Sequence, residues 1–162
     1  MKRVPLSNGE SMLVDDKDFE WASKIKWKAL KNHGKGSIKT YAAMPGTKSQ
    51  LAHRLLLDAP KGILVDHIDG DGLNNQRSNL RLCTNSQNHA NLGKYPSNVL
   101  SYKGIYRNGK YFWANLGCNR KYAKMGPFDT EDDVALAYDV MAVLAFDEFA
   151  KTNFLRWCAD EV

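Results

Sequence analysis

The pattern of hydrophobic and polar positions predicts a chain of short strands and short helices. Residues 3–6 and 11–14 are strand-like pieces on either side of a turn at 7–10, an arrangement typical of a β-hairpin. Over residues 15–27 the apolar positions fall near helical spacing and predict a short helix. The same pattern predicts further elements downstream, namely extended pieces at 41–44 and 49–51 and a helical piece at 53–57.

The middle of the chain alternates apolar runs with turn residues. A strand-like run at 63–65 leads into the turn Asp69-Gly70-Asp71-Gly72, and an extended form resumes at 79–82. A helix is expected to begin at Thr84, because Thr84-Asn85-Ser86-Gln87 fits a capping box. The front part of the chain is therefore expected to end in the order strand, loop, strand, helix.

The last third of the chain predicts a small sheet backed by one helix. Three short strands joined by turns are expected at 104–106, 111–116 and 122–125. A helix over 131–146 follows, with Thr130 as its N-cap and acidic residues in its first turn. Residues 93–98 have turn residues and no periodicity, so they predict a linker. The predicted boundaries are 1–92 for the front module, 93–100 for the linker and 101–156 for the back module.

The composition suits a globular protein, since 43% of the 162 residues are hydrophobic and 25% are charged. No apolar run approaches the roughly 20 residues that a membrane span needs, so no membrane partner is expected. The N-terminus lacks the apolar core of a secretory signal. The three cysteines are scattered and odd in number, which favours reduced thiols in a cytosolic protein over a disulfide framework.

Basic and acidic residues are segregated along the chain, whose formal net charge is +5. Eight bases and no acid lie in 24–57, six bases and no acid lie in 102–124, and seven acids and no base lie in 129–148. Two basic stretches free of acids suit a polyanion that lies along the protein. In the back module the sheet would therefore face the polyanion and the acidic helix would face away.

A dense polar cluster at 65–81 and 85–89 carries residue types suited to phosphodiester hydrolysis. That reaction needs a hard cation at the scissile phosphate and a general base that activates water. Asp66 and the amide oxygen of Asn88 are hard oxygen ligands suited to magnesium or manganese, and His67 is a candidate base. Asn79 is a candidate acceptor for the second ring nitrogen of His67, which would orient the ring.

Each of these residues also has a plainer interpretation. An Asp-His pair is more often a surface feature, Asn79 suits a turn, and Asn88 suits an exposed helix position. Because neighbours on a regular strand point to opposite faces, Asp66 and His67 share a site only if the strand ends or bulges there. A calcium loop is rejected because the twelfth position from Asp66 is Arg77, where an EF-hand has glutamate.

The cluster as a whole resembles the HNH homing endonucleases of phages, over roughly residues 1–92. The segments that carry the resemblance are Val65-Asp66-His67, the turn at 70–75, Arg77-Ser78-Asn79-Leu80-Arg81 and Asn88, with His53-Arg54-Leu55 and Lys61-Gly62 upstream. The resemblance implies a ββα-metal site in which Asp66 and Asn88 hold one divalent cation, magnesium or manganese. His67 would then be the catalytic base, steadied by Asn79. The third motif position, histidine in many relatives, is best matched by Asn88, and the neighbouring His89 is the alternative ligand.

The back module resembles the APETALA or ethylene-response-factor DNA-binding domain over residues 102–154. The segments that carry this resemblance are Tyr102-Lys103-Gly104-Ile105, 125–131, Ala137-Tyr138-Asp139 and Asn153-Phe154. That family lays a three-stranded sheet in the major groove and packs a helix behind it. The expected DNA-binding residues are Lys103, Tyr106, Arg107, Lys110, Arg120, Lys121 and Lys124, together with Arg54 of the front module. Trp113 is expected in the core rather than at a base.

These features together predict an α+β protein, with a ββα-metal HNH nuclease module followed by a small domain of three-stranded antiparallel sheet plus one helix. The predicted function is a metal-dependent endonuclease on double-stranded DNA that acts as a monomer and whose site is selected by the back module. A catalytically silent DNA-binding protein with two clamps is the main alternative, and a binder of single strands or RNA is a third. By resemblance, the compartment is the cytoplasm of a bacterial host that expresses a phage-encoded protein.

Overall fold

A computed structural model describes residues 1–34, 37–46 and 50–155. The chain forms two compact units, Met1–Asn85 and Ser86–Val162, and both contain strands and helices. The α+β expectation holds at this level. Lys35 and Lys48 of the first basic stretch, Ser49 of the predicted extended piece, and Arg156 lie outside the described residues. In the described part of the chain, none of the helices has the length and apolar character needed to cross a bilayer.

The first unit opens with the predicted hairpin. Strand β1 (Lys2–Pro5) and strand β2 (Ser11–Val14) pair antiparallel across the 7–10 turn. Because side chains alternate across a strand, one face of the hairpin turns inward and buries Val4, Met12 and Val14.

The helix predicted for 15–27 is shorter than expected. Helix α1 (Asp16–Ser23) ends before Trp27, which is buried at 1% exposure. The indole N–H of Trp27 donates to the carbonyl of Ala22 at 2.8 Å, so this side chain folds back over the helix end instead of continuing the helix. Burial of the large ring thus decides where α1 stops.

A second hairpin consists of strand β3 (Lys28–Gly34) and strand β4 (Ser37–Ala43). β4 contains most of the piece predicted at 41–44, whereas β3 was missed. β3 carries Lys28 and Lys31 and few large apolar residues, so its period-two pattern is too weak to indicate a strand.

The predicted order of strand, loop, strand and helix is confirmed. Helix α2 (Ala52–Leu56) precedes strand β5 (Leu64–His67), and strand β6 (Leu80–Cys83) pairs antiparallel with β5. A polar loop joins the two strands and closes in a 3-10 turn over Arg77–Asn79. Helix α3 (Asn85–Ala90) follows directly.

The apolar core of the first unit lies among the first hairpin, α1, β4 and α2. Its buried members are Val4, Leu6, Met12, Val14, Ala22, Trp27, Ala42 and Ala52. The polar loop is tied to α1 by an ion pair, since the Arg77 guanidinium donates through Nε and Nη2 to the Asp18 carboxylate at 2.8 and 2.9 Å. The hydrogen bonds from Arg77 hold the pKa of Asp18 below its usual value.

The second unit contains the predicted three-stranded sheet. Its strands are β7 (Ile105–Asn108), β8 (Tyr111–Cys118) and β9 (Lys121–Phe128), in the antiparallel order β7-β8-β9. Ile105, together with Ala114 and Leu116 of the central strand, is buried. These residues form the inner face of the sheet.

The sheet is backed by helix α4 (Glu131–Phe146), whose bounds are those predicted. The Thr130 hydroxyl accepts the backbone N–H of Asp133 at 3.2 Å, which confirms Thr130 as the N-cap. The buried face of α4 comprises Val134, Ala135, Tyr138, Asp139, Ala142 and Phe146. Gly104 lies so close to the Tyr138 ring that a Cβ there would collide with it, so this contact requires glycine.

Most of α3 belongs to the second unit. The backbone N–H of Asn119 donates to Oγ of Ser86 at 3.1 Å, and Nζ of Lys103 donates to the carbonyl of Ala90. The boundary between the two compact units therefore falls between Asn85 and Ser86. The linker is predicted further along the chain, at 93–100. The module boundaries given above stay predictions.

Candidate active site

The candidate base lies at the end of a strand. β5 ends at His67, whose carbonyl accepts the N–H of Gly70 at 2.9 Å as the chain turns away. Asp66 and His67 are buried, with 3% and 5% of their surface exposed. The strand ends at His67, as a shared site requires, and His67 still pairs with Leu80 in the ladder.

Asp66 is ion-paired across the β5–β6 ladder. It lies opposite Arg81, whose Nε and Nη2 donate to Oδ2 of Asp66 at 3.0 and 2.9 Å. Directly opposed residues point to the same face of a sheet, so the ladder itself aligns this pair. Arg81 thus orients a carboxylate, and a carboxylate oxygen is a hard ligand of the kind that magnesium and manganese prefer.

His67 is oriented by an asparagine that the sequence did not single out. Asn75 is fully buried, and its Oδ1 lies 3.3 Å from Nε2 of His67. The Asn75 amide nitrogen donates to the carbonyl of Leu73 at 3.3 Å, so the oxygen must be the atom that faces the histidine. An amide oxygen only accepts, so Nε2 carries the hydrogen and the basic lone pair is on Nδ1.

The protonation state of His67 suits a base. Burial lowers the pKa of His67 below 6.5, although the Asn75 hydrogen bond and the charges of Asp69 and Asp66 act in the opposite direction. The ring is therefore neutral at neutral pH, which is the state that a general base needs.

The predicted contact between Asn79 and His67 is wrong. The Asn79 amide accepts the backbone N–H of Asp69 at 3.1 Å and donates to Asp69 Oδ1 and to the carbonyl of Asn74 at 2.9 and 2.8 Å. Asn79 therefore braces the loop that follows His67. Spacing along the chain suggested a contact between Asn79 and His67. The loop instead folds so that Asn75 contacts the His67 ring.

The 69–74 loop is held by its own side chains. The carboxylate of Asp69 accepts the N–H of Asp71 at 2.8 Å and the amide of Asn74 at 2.7 Å. Burial tends to raise the pKa of Asp69, but the hydrogen bonds from Asn74, Asp71 and Asn79 outweigh it, and the pKa is lowered. A Cβ at Gly72 would collide with the Thr40 carbonyl oxygen and the Tyr41 ring, so glycine allows the loop to lie against β4.

Among the described residues, no group of three or more His, Cys, Asp or Glu side chains is placed to hold a metal ion. The predicted ligand pair, Asp66 and the amide oxygen of Asn88, needs only one such side chain. Asn88 lies on α3 within the second unit, as does the alternative ligand His89. The choice between them stays a prediction, while the predicted carboxylate and amide oxygens have the chemistry of a hard-cation site.

Arg54, predicted to contact DNA, has a structural role. Its guanidinium donates to the carbonyls of Ile63, Ala59 and Pro60 at 2.6, 3.0 and 2.9 Å. These bonds tie α2 to the chain that enters β5. Three of the five guanidinium N–H groups are used in this way, so Arg54 shapes the segment before the site.

Lys103, also predicted to contact DNA, has hydrogen-bond partners within its own unit. Its Nζ donates to the carbonyls of Ala90 and Lys151. Burial lowers the pKa of Lys103 to about 8. A half-buried ammonium that donates to two backbone carbonyls stabilises the second unit.

The remaining predicted DNA contacts lie on both faces of the sheet and in its turns. Register and alternation place Tyr106 and Lys124 on the outer face, away from the buried Ile105 row, and Lys124 Nζ lies 5.9 Å from the Tyr106 ring centroid. Arg107 and Lys121 alternate to the opposite row, near the ends of their strands. Lys110 and Arg120 lie in the turns that flank β8.

Trp113 was predicted to lie in the core, but the structure places it outside the core. It pairs with Tyr106 on the outer face, is half-buried, and packs its ring against Gly126. The inner face is occupied by smaller residues that fit beneath α4, which leaves the indole on the other side of the sheet.

Two rings beside His67 were not predicted as part of the site. His53 of α2 and Tyr41 of β4 have ring centroids 4.9 and 5.9 Å from that of His67. His53 is 5% exposed, and burial, followed by the charge of His67, lowers the pKa of His53 to about 3. The sequence signal was the His53-Arg54-Leu55 segment, in which the predicted chemistry had given His53 no role.

The comparisons with known proteins support the nuclease interpretation. Residues 58–90 match the family model described as HNH endonuclease, a range that includes Asp66, His67, Asn79 and Asn88. No solved structure matches the chain significantly. The prediction of an HNH endonuclease is confirmed for this segment, and the resemblance of 102–154 to the APETALA family stays a prediction.

Three relatives are similar to parts of the chain. An uncharacterized HNH endonuclease of Acanthamoeba polyphaga mimivirus is 38% identical over 58% of this chain and 49% of its own length. YosQ of the SPbeta prophage in Bacillus subtilis, which carries the name of an HNH homing endonuclease, is 41% identical over 35% of each chain. Protein 3.8 of Escherichia phage T7 is 44% identical over 28% of this chain and 38% of its own. The matches span half or less of each relative.

Proposed function

We propose that this chain is a metal-dependent endonuclease that hydrolyses phosphodiester bonds in double-stranded DNA. The observation that carries the proposal is the His67 imidazole, which is buried and neutral and is held by Asn75 at the strand end next to the ion-paired Asp66. A neutral imidazole of defined tautomer can act as a general base, and an oriented carboxylate beside it can bind a cation. The HNH match over 58–90 supports the same reaction class.

In the proposed reaction, Nδ1 of His67 takes a proton from the attacking water. Nε2 keeps its hydrogen and donates it to Oδ1 of Asn75. This hydrogen bond strengthens when the ring becomes positively charged. The proton thus moves onto a ring whose orientation does not change during the step. Burial of His67 keeps bulk water from competing for the lone pair.

Asp66 and Asn88 would hold one divalent cation, magnesium or manganese. When bound, the cation supplies Lewis-acid stabilisation of the scissile phosphate and the leaving oxygen. Arg81 keeps the Asp66 carboxylate oriented through two hydrogen bonds. Asn79 keeps the loop after His67 in place through Asp69, and in this way it supports the base indirectly.

The second unit is proposed to bind duplex DNA and to select the cutting site through the outer face of its sheet. Tyr106 and Lys124 on that face, and the resemblance of 102–154 to the APETALA domain, support this role. Basic side chains position a protein on phosphates, while aromatic and polar side chains on the sheet read the bases. Action as a monomer in the cytoplasm of a phage host belongs to the same proposal.

The test is incubation of supercoiled plasmid with the full chain in magnesium, in manganese and in chelator. Nicked or linear plasmid in either metal, and intact plasmid in chelator, is the expected result. Plasmid that is bound in a gel-shift assay and stays supercoiled in both metals would support the catalytically silent DNA-binding protein. Binding confined to single strands or RNA would contradict the whole proposal.

A further inference from the structure

The proposed chemistry leaves one buried imidazole beside the base without a role. His53 lies on α2 with 5% of its surface exposed, and its Nδ1 is buried with no hydrogen-bond partner among the described residues. Such an atom is costly to bury, because it loses its bonds to water. Hydrogen bonding through Nδ1 therefore does not explain the position of His53, whose ring packs against two neighbouring rings.

The rings of His53 and His67 pack against each other in a T-shaped arrangement. The two ring planes are almost perpendicular, at 86°, with centroids 4.9 Å apart. Tyr41 completes the cluster, 5.5 Å from His53 and 5.9 Å from His67. The three rings come from α2, β4 and β5, so three separate elements converge on one imidazole.

A hydrogen bond and a ring contact restrain different motions of His67. The bond from Nε2 to Asn75 fixes one atom of the imidazole but still permits the ring plane to rock about that bond. A second ring packed perpendicular to the first blocks the rocking, because rotation would drive atoms into the neighbour. Nδ1 must point at its water within a narrow angle, so control of the ring plane affects the rate of proton transfer.

We propose that His53 is a positioning residue that holds the plane of the His67 imidazole through perpendicular ring packing. The proposal rests on the function proposed above, in which His67 is the base. It assigns His53 no proton transfer and no contact with the substrate. Because the effect comes from a planar ring, another planar ring at position 53 is expected to replace it.

The test compares His53→Leu with His53→Phe in the full chain. Both substitutions remove the unpartnered nitrogen and introduce an apolar side chain, but only phenylalanine keeps a ring. We expect His53→Leu to lower kcat for plasmid nicking roughly 10–100-fold with little change in KM, and His53→Phe to retain most of the wild-type kcat. Leu55→Ala, on an exposed position of the same helix, is the control and should cut like wild type.

Two further measurements separate positioning from folding. Thermal unfolding by circular dichroism should show both variants folded at the assay temperature. Imidazole nitrogen NMR should show narrow His67 signals in wild type and His53→Phe, and His67 signals broadened by ring motion in His53→Leu, with the same tautomer in all three because Asn75 still fixes it. The NMR comparison does not require cleavage, so it decides the positioning role even if the wild-type chain proves not to cut.

Three results would overturn the proposal. The first is wild-type kcat together with an unchanged His67 spectrum in folded His53→Leu. The second is a His53→Phe variant as slow as His53→Leu, since the ring would then not be the operative feature. The third is loss of the fold in both variants, which would make His53 a core residue only.

Discussion

In the first unit, polar side chains are buried around one another, whereas in the described part of the second unit the buried polar side chain is Asp139 alone. His53, Asp66, His67, Asn75 and Asn79 each have 8% or less of their surface exposed. Asp139 instead accepts hydrogen bonds from the backbone of Asn153 and Phe154, at 2.7 Å each, and holds this segment against α4. The second unit keeps most of its bases on exposed strand and turn positions.

The difference separates two uses of polar residues. Burial lowers the pKa of His67, and a neutral imidazole is the state that the proposed base requires. Exposed bases keep their charge and can exchange counterions for phosphates, which serves binding. The first unit is therefore expected to respond to substitution in rate, and the second in affinity.

The largest effect is expected at the base. His67→Ala should lower plasmid cleavage by roughly 10²–10⁴, the range for a lost general base, and leave DNA affinity almost unchanged. Asp66→Ala should also abolish cutting, with weak rescue by extra metal. Nicking and gel-shift assays on one preparation measure both properties. A folded His67→Ala protein that cuts at the wild-type rate would end the assignment of the base.

The second test divides the chain at its contact boundary. A fragment of residues 86–162 should bind duplex DNA and never cut it, while residues 1–97 should retain weak, less selective nicking. A fragment that starts at 99 loses the Ala90 carbonyl that accepts from Lys103, so it should be about 1–3 kcal/mol less stable than 86–162. Urea unfolding compares the two back fragments. Metal-dependent cleavage by either back fragment would contradict the division of roles.

A smaller effect is expected on the outer face of the sheet. Lys124→Ala should flatten the slope of log K against log salt by about 0.9, the value for one lost phosphate contact. Lys121→Ala, on the same strand but in the opposite row, is the matched control and should change the slope less. Equal changes would mean that the outer face is not the docking surface. Lys103→Ala should lower stability rather than the slope, because its ammonium is held by carbonyls.

The last effect is a pH dependence of stability in the first unit. The folded-state pKa of His53 is about 3, below its ordinary 6.5, so the unfolded chain binds a proton more readily. Proton binding by the unfolded chain does not affect stability above pH 6.5. As the pH falls from 6.5 towards 3, it favours the unfolded state and the folded chain loses stability. His53→Phe should therefore flatten the fall in Tm over this window. Parallel curves for wild type and His53→Phe would show that the histidine does not titrate on unfolding.

Local patterns in the sequence were enough to predict much of the fold and the kind of site. The first hairpin and α4 follow from alternation, turn residues and an N-cap, all of which act over a few residues. Asp66, His67 and the loop after them could be selected because their residue types match one reaction. The HNH resemblance pointed to the segment that the family model matches.

Such patterns could not predict contacts between residues that are far apart along the chain. The sequence alone marked the polar cluster, the two basic stretches and the order of the elements, because each depends on neighbours along the chain. The tertiary structure alone decided that Asn75 rather than Asn79 meets His67, that Arg54 and Lys103 donate to backbone carbonyls, and that His53 packs against the base. The physical reason is that a hydrogen bond or a ring contact depends on where the backbone places two side chains in space, and residue type and spacing leave that position open.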